Sequence, residues 1–285
     1  MIKVFTKEKD YRNFRANLGH DSIGVVPTMG NLHEGHISLL RKSVEENIVS
    51  VITIFVNPKQ FGPNEDFDKY PRTLDADLAK ISTLALQTNQ IDSKKEIVVF
   101  APINNDEIYP AGFNTVISVK GVTEILEGAK RPTHFDGVTT VVYRLLRIIN
   151  AKNAYLGQKD YQQCVVVKKM VHDLGLDVKI HVMPIIRNSE GLALSSRNQY
   201  LHESDRCEAL HLSSTLKKIE SFIKDKADYK SLREFELTNN KWDYLEVLNA
   251  ETLAEPTETT KEVVILGVYK LGSVRLLDNI LVHTL

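Results

Sequence analysis

The chain has 285 residues, enough for one large domain or two of ordinary size. Its 36 Lys and Arg against 37 Asp and Glu leave a formal charge of −1, which excludes a broad basic field for nucleic acid or a polybasic membrane anchor. A content of 42% hydrophobic and 26% charged residues marks a globular chain, and two cysteines, Cys164 and Cys207, are too few for a disulfide framework or a multi-cysteine zinc site.

Residues 23–27 (IGVVP) read as a buried strand, followed by a loop and then a helix over 36–47 with Ile37, Leu40 and Val44 on one face. Residues 49–56 (VSVITIFV) form the next strand, so strand, glycine-bearing loop, helix and strand make a βαβ unit. The rhythm repeats with a helix over 73–87, Thr73 being its N-cap candidate, a polar surface loop over 87–96, and a strand over 97–101. A helix over 136–149, a strand over 154–156, a helix over 160–174 stopped by Gly175, and a strand over 178–183 follow. The fold class is α/β, a Rossmann-like doubly wound parallel sheet. Beyond a join near 183–188 the pattern changes to helices over 203–224 and 229–237, then strands over 244–248, 263–269 and 274–277. The expected division is a nucleotide-binding domain over 1–185 and a smaller α+β lid domain over 186–285. No apolar run reaches the ~20 residues that span a bilayer. The sequence MIKVFTKEKDYRNFR lacks the apolar core of a signal peptide, so a cytoplasmic protein is expected.

Four segments carry chemistry. The first, PTMGNLHEGH from Pro27, leaves the first strand and enters the first helix, where free N–H groups and the helix dipole favour an anion. His33 and His36 can each donate a hydrogen bond there, and Gly35 permits close approach to the backbone. The second, FVNPKQFG from Phe55, offers Asn57 and Gln60 as neutral partners for a small substrate's hydroxyl or carboxylate. The third, LGQKDYQQ from Leu156, offers Lys159 for phosphate, Asp160 as helix cap or ribose ligand, and Gln163 one turn on. The fourth, RNSEGLALSSRN from Arg187, supplies Ser195, Ser196 and Arg197 for a polyphosphate whose charge grows in the transition state. Neither a Walker A nor a GxGxxG pattern occurs. The chemistry indicated is electrostatic stabilisation of a nucleotide phosphate under attack.

These motifs, with RPTHFDGVTTVV from Arg131 and VYKLGSVRLLDN from Val268, resemble the pantoate–β-alanine ligase family within the HxGH nucleotidyltransferases. The resemblance implies ATP-dependent condensation of (R)-pantoate with β-alanine through a pantoyl adenylate, releasing pyrophosphate and AMP, with Mg²⁺ accompanying ATP. It implies ATP contacts from Met29, Gly30, Asn31, Leu32, His33, Glu34, Gly35 and His36. Gly157, Gln158, Lys159 and Asp160 would join them, as would Ile186 through its backbone and Leu194, Ser195, Ser196 and Arg197 in a closing loop. His36, His33 and Lys159 are the catalytic candidates, and His36 matches the family's proton donor. Gln60 and Gln163 would hold pantoate, Gln60 would also serve β-alanine, and Asp77 is a candidate Mg²⁺ contact. Arg131 and His134 are further candidates for direct contact. The resemblance also implies a homodimer, small-molecule substrates only, and no nucleic acid or membrane partner. Two competing readings are a nucleotidyltransferase acting on a phosphorylated substrate and a non-catalytic nucleotide-binding regulator on the same fold.

Overall fold

The computed structural model describes residues 2–18, 22–63, 65 and 67–284. It forms two compact units, Met1–Gly157 with Val166–Met183, and Gln158–Val165 with Pro184–Leu285.

The first unit is built on a six-stranded parallel sheet: β1 (Lys3–Phe5), β2 (Ile23–Thr28), β3 (Val49–Ile54), β4 (Glu96–Phe100), β5 (Asn153–Gly157) and β6 (Lys179–Met183). The order is β1-β4-β3-β2-β5-β6. From β2 the chain first winds outward through β3 and β4, then returns to place β5 on the other side. The strand order therefore reverses at β2 and β5, and the carboxyl ends of these neighbours are where a doubly wound sheet opens a crevice. β2 and β3 are buried almost throughout, as strands covered on both faces must be. On one face α2 (Glu34–Glu46) and α3 (Leu74–Ile91) bury Ile37, Leu40, Val44, Ile81 and Leu84 against Val26, Ile52 and Val99. Phe100 points to the opposite face, as strand alternation requires, and meets Tyr11 of α1 (Glu8–Ala16) with ring centroids 5.6 Å apart. The Tyr11 hydroxyl then donates to the Ile149 carbonyl at the end of α5 (His134–Ile149). The short α4 (Leu126–Lys130) precedes α5.

The helix α6 (Tyr161–Asp173) gives its first five residues to the second unit and the rest to the first. Gly175 ends it with φ +58°, the left-handed stop expected from the sequence. In the second unit β7 (Trp242–Asn249), β8 (Glu262–Leu271) and β9 (Val274–His283) form an antiparallel sheet. α7 (Arg206–Lys224) lays Leu212, Leu216 and Ile219 on it, and α8 (Tyr229–Leu237) lies beside β7. A Cβ on Gly267 would come 2.8 Å from a Leu212 methyl, so that glycine lets α7 reach the sheet.

Two expectations change. The polar stretch 87–96 is not a loop throughout, because α3 continues to Ile91. No Gly or Pro interrupts it, and its Gln and Leu residues sustain a helix after the apolar stripe has ended. The strand expected at 274–277 runs on to His283, since two buried polar residues, Asp278 and Asn279, hid the alternation.

Candidate active site

In the first unit, β2 runs into residues 29–33, and α2 begins at once. His33 is the N-cap of α2 and His36 is its third residue. The Gly35 N–H donates to His33 Nδ1 at 3.1 Å, and the His33 N–H points at His36 Nδ1 at 3.3 Å. The pair is a capping box made of imidazoles in place of Ser and Glu, which fixes the three-residue spacing. An Nδ1 that accepts a backbone N–H cannot carry a proton, so each neutral ring holds its proton on Nε2. The rings lie together, centroids 4.1 Å apart, at the positive end of the α2 dipole. Gly35 has a specific reason: a Cβ there would stand 2.8 Å from His33 Cε1 and 2.9 Å from Nδ1. The nearest neighbour it accommodates is therefore the His33 ring folded back on the helix.

The turn before the histidines is held from behind. Gly30 and Asn31 are both left-handed, at φ +82° and +49°. Asp77 of α3 is fully buried, and its carboxylate accepts the N–H groups of Asn31 at 2.9 Å and Leu32 at 2.7 Å. The Thr73 hydroxyl donates to the same carboxylate at 3.2 Å instead of capping α3. Lys80, one turn on, donates to the Leu32 carbonyl.

The loop after β3 contains a 3₁₀ turn, Pro58–Gln60, that lies against the first turn of α5. The contact is possible because residue 137 is glycine, as a Cβ there would fall 2.2 Å from the Lys59 carbonyl oxygen. Gln60 is gripped twice. Its carbonyl accepts from His134 Nδ1 at 2.8 Å, and its side-chain Oε1 accepts from Asn57 Nδ2 at 3.1 Å. Arg131 in turn meets His134 Nε2 at 3.1 Å and forms a bidentate pair with Glu65 at 2.7 and 2.6 Å. Burial, reinforced by the Arg131 charge, holds His134 below its ordinary pKa and therefore neutral. Burial alone would raise the Glu65 carboxyl, but the Arg131 fork overrides it and keeps Glu65 below the usual carboxylate range.

In the second unit, Gln158–Asp160 form a 3₁₀ turn at the head of α6. Asn279 of β9 donates to the carbonyls of Gln158 and Lys159 at 2.9 and 3.0 Å and accepts from Gln158 Nε2 at 3.0 Å. Its neighbour Asp278 takes both arms of Arg187, at 2.6 and 2.8 Å. The pair of buried polar residues thus ties two loops to one strand. Lys159 is half-buried with Nζ 3.1 Å from the more exposed Asp160. Tyr161 anchors the start of α6 by donating to the Ala250 carbonyl, and Gln163 lies half-buried on the same turn. Past β6 the chain doubles back, with Arg187 and Ala193 bridged antiparallel and Leu194 N–H donating to the Ile186 carbonyl at 2.9 Å. Ser195 then caps a 3₁₀ turn over Ser196–Tyr200 by accepting from the Arg197 N–H.

A model of the pantoate-beta-alanine ligase family matches residues 3–281. The chain belongs to the pantoate–β-alanine ligase family. It is 46% identical to pantothenate synthetase of Acetivibrio thermocellus, with 99% of each sequence covered. Among solved structures it resembles the Thermus thermophilus pantothenate synthetase, with TM-score 0.86, 36% identity, and 98% and 99% of the two chains covered. It also resembles a Francisella tularensis pantoate-beta-alanine ligase described as complexed with beta-gamma ATP and beta-alanine. That match has TM-score 0.74 and 33% identity, and covers 99% of this chain and 98% of the other.

For a ligase of this family the residues expected from sequence fall into two sets. Met29 to His36, Gln60 and Asp77 lie in the first unit, as does Gly157. Gln158, Lys159, Asp160, Gln163, Ile186 and Leu194 to Arg197 lie in the second. Asp77 does not fit the expected metal contact: it is buried and its two oxygens are taken by three donors that shape the 30–32 turn. The Glu34 side chain turns to Arg41 at 3.2 Å. Arg131 and His134, considered for direct contact, hydrogen-bond Glu65 and the Gln60 carbonyl respectively. Ile186, expected to meet adenine through its backbone, has its carbonyl accepting the Leu194 N–H at 2.9 Å. Two residues not among the expected site residues are Tyr109 and Asn279. Asn279 had a signal, an Asp-Asn pair inside the apolar run LLDNILV, because polar groups in a buried strand need partners. Tyr109 had none.

Proposed function

We propose that this ligase activates (R)-pantoate with ATP and transfers it to β-alanine. A pantoate carboxylate oxygen attacks the α-phosphorus, the bond to pyrophosphate breaks, and pantoyl adenylate forms. The β-alanine amine then attacks the acyl carbon, the amide bond forms, and AMP leaves. The observation that carries this reading is the imidazole capping box at the head of α2. It gathers two imidazoles, each with its proton on Nε2, at a helix N-terminus, which suits the extra negative charge of a pentavalent phosphate. The bound molecules named for the Francisella relative support the substrate classes.

In this reading Met29 to His36 receive ATP, and His33 and His36 hydrogen-bond its phosphates. Lys159 adds a cation at a phosphate, Asp160 takes the ribose, Ile186 meets the adenine through its backbone, and Leu194 to Arg197 contact the polyphosphate. Gln60 and Gln163 hold pantoate, and Gln60 also serves β-alanine. Among the described residues no group of three or more His, Cys, Asp or Glu could hold a metal ion. Mg²⁺ would accompany ATP on its triphosphate and would screen phosphate charge. Among the described residues no helix is long and apolar enough to cross a membrane. A cytoplasmic homodimer is part of the proposal.

The test is AMP release with each substrate omitted, together with exchange of labelled pyrophosphate into ATP. Exchange should require pantoate but not β-alanine, and AMP release should require both. Exchange driven by a phosphorylated substrate would indicate a nucleotidyltransferase, and ATP binding without AMP a regulator.

A further inference from the structure

The Asn57 side chain is buried, 1% exposed, and bracketed by two backbone groups whose roles cannot exchange. The Lys59 N–H can only donate, and it reaches Asn57 Oδ1 at 3.2 Å; the Gly137 carbonyl can only accept, and it lies 3.1 Å from Nδ2. The Asn57 amide therefore has one orientation. Its Oδ1 must accept from the Tyr109 hydroxyl, at 2.7 Å, and its remaining Nδ2 hydrogen goes to Gln60 Oε1 at 3.1 Å. Gln60 Oε1 is thereby directed to Asn57, and the other end of that amide, Nε2, is a donor.

We infer that Tyr109 is a positioning residue for the acid substrate: through Asn57 it fixes Gln60 with its NH₂ group toward an acceptor oxygen of pantoate. The inference rests on the proposed function for the identity of that acid. Donation by the Tyr109 hydroxyl polarises the Asn57 amide and strengthens the bond that Asn57 makes to Gln60. The phenol is itself held. Its ring packs at 6.1 Å from Phe55 and 5.2 Å from Phe113, and Lys59 Nζ lies 5.1 Å above it. Burial raises the Tyr109 pKa far above neutrality, so the hydroxyl stays a donor throughout the working range. The arrangement selects an anion or hydroxyl oxygen at Gln60 over a donor group such as a carboxamide NH₂.

The experiment is steady-state kinetics of AMP release for wild type, Y109F, Q60A and the double variant. Y109F should raise KM for pantoate about fivefold to tenfold, the size of one hydrogen bond, and leave kcat and KM for ATP within about twofold. In the Q60A background Y109F should add nothing. An unchanged pantoate KM, an equal change for ATP, or the same penalty in the Q60A background would each overturn the relay. A second readout is independent of turnover: the Gln60 side-chain amide resonances, assigned by their loss in Q60A, should shift in Y109F. If wild type lacks pantoate-dependent AMP release but the resonances shift, the substrate reading fails and the relay stands; if they do not shift, the relay fails. Should Y109F not fold, Asn57→Asp replaces the donor to Gln60 by an acceptor, and the pantoate KM should again rise more than that of ATP. Equal rises would sink the inference.

Discussion

The packing of the His33 ring against Gly35 makes Gly35→Ala a sharp perturbation. The new Cβ would stand 2.8 Å from His33 Cε1, whereas carbon atoms rest at about 3.5–4.0 Å, so the ring must retreat by roughly 1 Å. Alanine is otherwise a better helix residue than glycine, which offsets part of the damage to the fold. Losing the Nδ1 cap costs about 1 kcal/mol, and a change of that size moves the melting temperature of a chain this long by about 2–4 °C. The chemical cost is larger. A misplacement of about 1 Å at a reacting centre can lose about 100-fold in rate. We expect pyrophosphate exchange to fall about 100-fold while the melting temperature drops by no more than a few degrees. Exchange assays and thermal melts on the same preparation separate the two. Exchange retained within about threefold, at unchanged stability, would show that the His33 ring position is not what the glycine protects.

Three further outcomes follow from the same contacts. Asp77→Asn turns one acceptor into a donor facing a buried N–H, and should cost about 1–3 kcal/mol in urea unfolding and raise KM for ATP more than for pantoate. A variant binding ATP normally would free the 30–32 turn from α3. His134 is held neutral in the folded chain, so below its ordinary value of 6.5 the unfolded chain binds the extra proton and stability falls as pH falls. His181, lowered chiefly by burial, acts in the same direction. The urea midpoint of His134→Gln should be flatter than wild type across that window, and parallel profiles would contradict the assignment. Asn279→Ala leaves the Gln158 and Lys159 carbonyls without their donor and should raise KM for ATP about tenfold by releasing the lysine turn, with pantoate affected less. Equal effects on both substrates would place that turn elsewhere.

The parallel sheet was legible because each βαβ step writes its own signal: a continuous apolar strand, a turn, then a 3.6-residue stripe. The first elements were harder to read. β1 has only three residues, and it gains its place by pairing with β4, nearly one hundred residues away in sequence. α1 carries one fully buried aromatic, Tyr11, whose role is visible only once Phe100 and Ile149 are brought to it. Short pieces fixed by tertiary partners leave little periodicity to detect. The end of α3 failed differently. Ile91 is 89% exposed, so the stripe stops before the helix does, and propensity rather than burial decides the last turn.

The site divides along the same line. Residues proposed to act on ligand, such as His33, His36, Gln60 and Lys159, advertise themselves because their types and their places at strand ends suit phosphate or carboxylate. Residues that orient them do not, because an orienting group is recognised by its partner and not by its chemistry. Asp77 shows the hazard: a carboxylate beside a nucleotide motif reads as a metal ligand, yet two backbone N–H groups of a left-handed turn account for it. Asn57 shows the converse. It reads as a substrate ligand, but every bond found for its amide runs to Lys59, Gly137, Tyr109 or Gln60. In the proposed reading its geometry still bears on substrate, because an amide locked between a fixed donor and a fixed acceptor dictates which end of the Gln60 amide is left for the acid. In the proposed reading, the end of Gln60 that meets the acid is chosen one amide away, at Asn57, whose own orientation is held by two backbone groups and the Tyr109 hydroxyl.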